Sequence, residues 1–197
     1  MAAVAATLAM GGCGVLGGGA PPVRPNVYDF GSSARTTAPD IAPGQPIALG
    51  EVDAPFALDA PAVMYRLAYA DAQQPRPYAQ ARWSMAPASL LRVRLRERLS
   101  QSRPVLQPGE AGVLRTLRVD LEEFHQVFDS PNASSGVVRL RATLLETSTT
   151  GERLLAQRNI SVQRPAPSPD AQGGVRALTA ATDAAIDVID QWLKEQR

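Results

Sequence analysis

Three segments in the second half of the chain alternate apolar and polar residues, and only short polar turns separate them. Residues 112–124, GVLRTLRVDLEEF, set Leu117, Val119 and Leu121 against Arg118, Asp120 and Glu122. Residues 136–146, GVVRLRATLLE, set Val138, Leu140, Ala142 and Leu144 against Arg139, Arg141 and Thr143. Residues 153–163, RLLAQRNISVQ, bring Ala156, Ile160 and Val162 together. A period of two puts alternate side chains on opposite faces of a strand. Strands joined by short turns form an antiparallel meander with one buried face and one wet face. No other feature of the sequence restricts the fold as strongly.

A sheet with one apolar face needs a cover, and two helical segments supply it. Pro87 suits a first helical turn, and Leu91, Leu95 and Leu99 follow at i, i+4, i+8 as a core-facing stripe. Leu90 and Val93 lie off this stripe, either packed under another element or open to a partner. The closing segment carries Val175, Leu178, Thr182, Ala185, Ile189 and Trp192 at spacings of three and four, widened by Ala181 and Val188. Ser168 followed by Pro169 is the expected start of that helix. Shorter strands are expected over 26–31, 47–55, 62–71 and 78–85. The stretch QQPRP turns the chain between the last two into a hairpin. The expectation is one α+β domain over 26–197, a mainly antiparallel sheet with two main helices packed on it.

The chemistry on offer is sparse. A net charge of +1 leaves no electrostatic footprint for nucleic acid. One cysteine excludes an internal disulfide, and one histidine, His125, argues against a histidine metal cluster or a conventional triad. His125 reads as a packing or surface residue. Glu122 and Glu123 are adjacent, so in a regular strand they point to opposite faces. Arg92, Arg94, Arg96 and Arg98 read as a solvated helix face, with contact to lipid phosphates or an acidic partner as the alternative. No phosphate loop, CxxC, HExxH or GxSxG is present. We expect no cofactor, no metal and no catalytic residue.

The N-terminus is more specific. Residues 1–12, MAAVAATLAMGG, are apolar and small, and read as a signal segment whose true start lies upstream. MGGC places two small residues before Cys13, as in a bacterial lipobox, so Cys13 is the expected site of lipid attachment. Residues 13–25, rich in glycine and proline, read as a flexible tether. No apolar run approaches the roughly 20 residues needed to span a bilayer. Gly14, where aspartate would signal inner-membrane retention, favours the outer membrane.

The lipobox, then YDFG, YRLAY, YAQARWSMAPASLL, LRVDLEEF and the terminal ALTAATDAAIDVIDQWL together resemble the ABC-type transport auxiliary lipoprotein family, of the paraquat-inducible protein C type. The resemblance spans about residues 26–195. It implies a periplasmic, lipid-anchored accessory to an ABC permease and ATPase. Its nearest partner would be a mammalian-cell-entry-type substrate-binding protein, in a system moving phospholipids or other hydrophobic molecules between membranes. It also implies docking as a ring of copies. Arg66, Arg82, Leu90 and Val93 are the candidate partner contacts. The alternatives are a structural envelope lipoprotein stabilising another outer-membrane complex, and an envelope enzyme.

Overall fold

The computed structural model describes residues 24–32, 44–110, 113–148 and 150–196. Cys13, the signal segment and the tether up to residue 23 lie outside the described residues. In chain order the elements are β1 (Asn26–Tyr28), β2 (Ile47–Asp53), β3 (Ala62–Leu67), β4 (Asp71–Trp83), α1 (Pro87–Leu99), β5 (Val105–Leu106), β6 (Arg115–Ser130), β7 (Ala133–Ser148), β8 (Gly151–Pro165) and α2 (Ala171–Glu195). A 3₁₀ turn, Phe56–Leu58, precedes β3.

The meander forms as the alternation requires. β6, β7 and β8 pair antiparallel in succession. Leu117, Val119, Leu121, Val138, Leu140, Ala142 and Leu144 are all buried, and Ile160 joins them. The two glutamates depart from the regular pattern. Leu121 pairs with Leu140 and Glu123 with Arg139, which leaves Glu122 as an extra residue, a β-bulge. Core residues are odd-numbered before the bulge and even-numbered after it, as buried Phe124, Gln126 and Phe128 show. Glu122 and Glu123 therefore share the wet face, paired with Arg141 and Arg139.

The sheet is mixed where the shorter strands join. β6 pairs with β7 along one edge, and its other edge is divided. β2 runs parallel to the first half of β6, carrying β5 beyond it; β3 runs parallel to the second half, carrying β4 and then β1. The expected β3–β4 hairpin is present, with a correction. The turn lies at 68–70, and the proline stretch continues the strand. β1 pairs only with residues 81–83 of β4, so among the described residues Pro75 and Pro77 sit on an open edge where a missing N–H costs no ladder bond.

Both helices pack on one face. α2 covers β6, β7 and β8 with the predicted residues; Val175, Leu178, Ala181, Thr182, Ala185, Ile189 and Trp192 are all buried. Its N-cap is Asp170, not Ser168. The Asp170 carboxylate accepts the Gly173 N–H at 2.7 Å and the Ser168 hydroxyl at 2.9 Å, which hold its pKa below the usual carboxylate range. α2 sits so close that a Cβ at Gly136 of β7 would stand 2.5 Å from the Leu178 nitrogen. α1 rests on β2 and against α2. Leu91, Leu95 and Leu99 are buried as the stripe requires, and Leu90 is buried with them. A helix packed on two sides buries more than one stripe, which is why Leu90 is not wet.

Candidate docking site

The chain enters the domain at β1 and crosses to the helices through a short strap, Asp29–Gly31. Phe30 anchors it in an aromatic group, 5.6 Å from the Trp83 ring and 6.0 Å from Phe124, with Trp83 and Phe124 5.5 Å apart. Trp83 is core, 1% exposed, as its alternation in β4 predicts. Gly31 turns the strap with φ +66°, a conformation that favours glycine. Its N–H donates to the Asp29 carboxylate at 2.7 Å.

A ladder of ion pairs zips the helices together beneath the strap. Arg94 forms a two-pronged pair with Asp183 at 2.7 and 2.9 Å and also donates to the Gly31 carbonyl at 3.3 Å. Arg98 pairs with Asp187, and Arg103 with Asp190 at 3.1 Å. Asp183, Asp187 and Asp190 fall at spacings of four and three, so one face of α2 presents all of them. Arg94 is only 7% exposed. Its hydrogen bond to Asp183 raises its pKa further, against the opposing effect of burial. Arg92 pairs with Glu51, and Arg96 donates to the Val105 carbonyl. Arg94 is thus committed within the fold, which corrects the solvated-face reading for that residue; Arg92, Arg96 and Arg98 have partners in the fold and remain partly exposed.

Two shallow clefts flank the strap. One, of about 210 Å³, is lined by Met85, Leu90, Val93 and Glu97. The other, of about 510 Å³, is lined by Val27, Val175, Thr179 and Ala180, with Arg176 and Asp183 among its polar residues. Val93 is 50% exposed, Met85 42% and Val27 62%, so apolar side chains stand in water on both sides of the strap.

A sequence model of the ABC-type transport auxiliary lipoprotein component matches residues 28–189. The chain belongs to this family. Membership makes it an accessory of ABC-type transport and sets it among lipid-anchored envelope proteins; the match is to an auxiliary component, not to an enzyme family. The fold is similar to that of protein XCC0632 from Xanthomonas campestris, with TM-score 0.68 and 19% identity over 87% of this chain and 100% of that one. It is also similar to the hypothetical protein CT253 from Chlamydia trachomatis, with TM-score 0.54 and 9% identity over 76% of this chain and 95% of that one. These likenesses concern the fold. No curated protein matches the chain.

In this auxiliary lipoprotein the four candidate contacts do not form one patch. Val93 is exposed on α1 beside the cleft, and Leu90 forms the cleft's buried wall. Arg82 is exposed and pairs in register with Val27, on the strand face opposite Trp83. Arg66 lies on the helix-free face, half-buried, donating to the Ala72 carbonyl at 3.0 Å. Sequence reasoning missed Val27, Met85 and the aspartate ladder. The ladder had a signal, since the spacing of Asp183, Asp187 and Asp190 on α2 complements Arg94 and Arg98 of α1 and Arg103 just after it.

The two remaining polar groups of interest serve the fold. Tyr78 faces the core, although its position in a regular strand would set it opposite Trp83; irregular pairing with β3 resets the alternation between them. Its hydroxyl donates to Gln126 at 2.9 Å, and Gln126 donates to Ser134 at 2.8 Å. Burial, with the adjacent Tyr65, raises the Tyr78 pKa and keeps the phenol protonated. His125 is buried on the helix-free side. Burial and then Arg66 push its pKa down, Arg139 adds to this and Glu123 opposes it. Among the described residues no group of three or more His, Cys, Asp or Glu side chains is placed to hold a metal, and no helix is long and apolar enough to cross a membrane.

Proposed function

We propose that the protein is lipidated at Cys13, anchored at the periplasmic face of the outer membrane, and docks a mammalian-cell-entry-type substrate-binding protein of an ABC transport system. That system moves phospholipids or other hydrophobic molecules between the membranes. The supporting observation is the exposed apolar surface around the strap, where Val27, Met85 and Val93 stand in water, Val27 in the first strand after the tether. The helices beneath it are held rigid by the Arg94–Asp183 pair, so the surface is preorganised for a partner. Tethering raises the effective concentration of that partner at the membrane. Several copies in a ring would present several such surfaces to one elongated partner. Arg82 and Val93 are the contacts we assign to it.

The test is capture from envelope membranes, comparing wild type with Val93→Glu and Met85→Glu. Mass spectrometry identifies the retained proteins and the lipid on Cys13. Wild type should retain a mammalian-cell-entry-type protein together with permease and ATPase, and both variants should lose it while remaining lipidated. A lipidated wild type that retains only unrelated outer-membrane proteins would overturn the transport reading.

A further inference from the structure

A cavity of about 300 Å³ opens at the far end of α2, roughly 16 Å along the helix from Asp183. Arg103, Arg115 and Lys194 line it, with Ile47, Leu144 and Leu193 as its apolar wall. Arg103 is 7% exposed, and its Nε is buried without a hydrogen-bond partner. Buried guanidinium nitrogens are ordinarily satisfied, so an orphaned one on a residue that lines the cavity departs from the usual pattern.

The charges around the cavity do not cancel. Among the described residues Asp190 alone answers Arg103 and Lys194, accepting from them at 3.1 and 2.7 Å and from the Ser102 hydroxyl at 2.7 Å. Burial works against its ionisation, but the hydrogen bonds from Lys194, Ser102 and Arg103 keep its pKa below the ordinary value. Arg115 spends one nitrogen on the Gln196 carbonyl at 2.7 Å. The other nearby carboxylates are engaged elsewhere, Glu146 with Arg153 and Glu195 with Arg158. Among the described residues, three lining cations against the one carboxylate paired with them leave an excess of positive charge around a partly enclosed space.

We propose that this cavity binds a phosphate-class anion, held by Arg103, Arg115 and Lys194. Guanidinium groups match phosphate oxygens in geometry and charge. The apolar wall suits a phosphate that carries an organic substituent. The phosphate comes either from free inorganic phosphate or from a phospholipid headgroup. The site is separate from the strap surface, so it stands or falls independently of the docking reading.

The experiment uses the full chain with Cys13→Ala, titrated calorimetrically with inorganic phosphate and with dihexanoyl phosphatidylglycerol below its micelle concentration. Sodium chloride at matched ionic strength is the control. At least one probe should bind saturably at one site per chain and raise the melting temperature above the chloride control. Arg115→Gln and Lys194→Gln should each weaken binding about tenfold, the size of a lost charged hydrogen bond. Binding of phosphate by itself assigns the free anion; tighter binding of the lipid assigns the headgroup. Heats and melting shifts equal to those of chloride, or affinities unchanged in both variants, would overturn the proposal.

Discussion

Gly136→Ala probes the contact on which the geometry of the helical face depends. The added Cβ would stand 2.5 Å from the Leu178 nitrogen, 2.6 Å from the Ala177 carbonyl carbon and 3.0 Å from the Ala177 Cβ, whereas ordinary contact begins at 3.4 Å. Two of those atoms are backbone, so no rotamer change relieves the clash, and α2 must retreat by about 1 Å or β7 must bend. A gap of that size forfeits a quarter to a half of the dispersion energy along the contact. Overpacking typically costs about 1–3 kcal/mol, and a backbone-on-backbone clash belongs at the upper end, about 3 kcal/mol. For a domain of this size that lowers the melting temperature by about 6–12 °C. The assay is thermal unfolding followed by circular dichroism, with Gly50→Ala as the control. A Cβ at Gly50 would meet nothing nearer than the Leu117 carbonyl at 3.5 Å, so the control should melt close to wild type. If Gly136→Ala melts within about 2 °C of wild type, α2 is not seated on β7 as described, and the reasoning fails.

Asp183→Ala strands the buried Arg94 guanidinium, among the described residues, with only the Gly31 carbonyl and, at 3.9 Å, Glu97. Urea unfolding should show a loss of about 2–3 kcal/mol, less than the roughly 3–5 of a fully enclosed pair because Asp183 is partly exposed. Asp187→Ala, removing a carboxylate that is 62% exposed, should cost at most about 1 kcal/mol. Burial holds the folded pKa of His125 below the ordinary histidine value of 6.5, so the unfolded chain binds its proton first. The stability that comes from keeping His125 neutral is complete above about pH 6.5 and is lost as pH falls through the lower folded pKa. Wild type should therefore lose unfolding free energy between about pH 7 and 5, and His125→Gln should flatten that slope; equal slopes in the two proteins would refute it.

The sequence by itself determined the elements whose burial follows a simple period. Leu117, Val119 and Leu121, and Val138 through Leu144, show their buried face from alternation alone, because in a strand the face is decided two residues away. Leu91, Leu95 and Leu99, and the stripe from Val175 to Trp192, do the same at helical spacing. The motifs along the folded part were also sufficient to point to the family. What only the tertiary structure decided is everything set by neighbours distant in sequence. The division of one edge of β6 between β2 and β3 depends on which short strand finds which half of a long edge, and local pattern carries no such information. The bulge at Glu122 moves one residue out of register and reverses every face after it, which is how two adjacent glutamates came to share a side. Arg94 looked like a solvated charge because its partner, Asp183, lies 89 residues away in sequence. Leu90 lay off the stripe because helical periodicity describes one packed face, and α1 is enclosed on two sides, so it packs under another element. The Val93 surface and the cavity at Arg103 share that origin. Both are places where elements packed for other reasons leave apolar groups in water or cations in excess of the carboxylates beside them, a property of the assembled fold and not of any one segment.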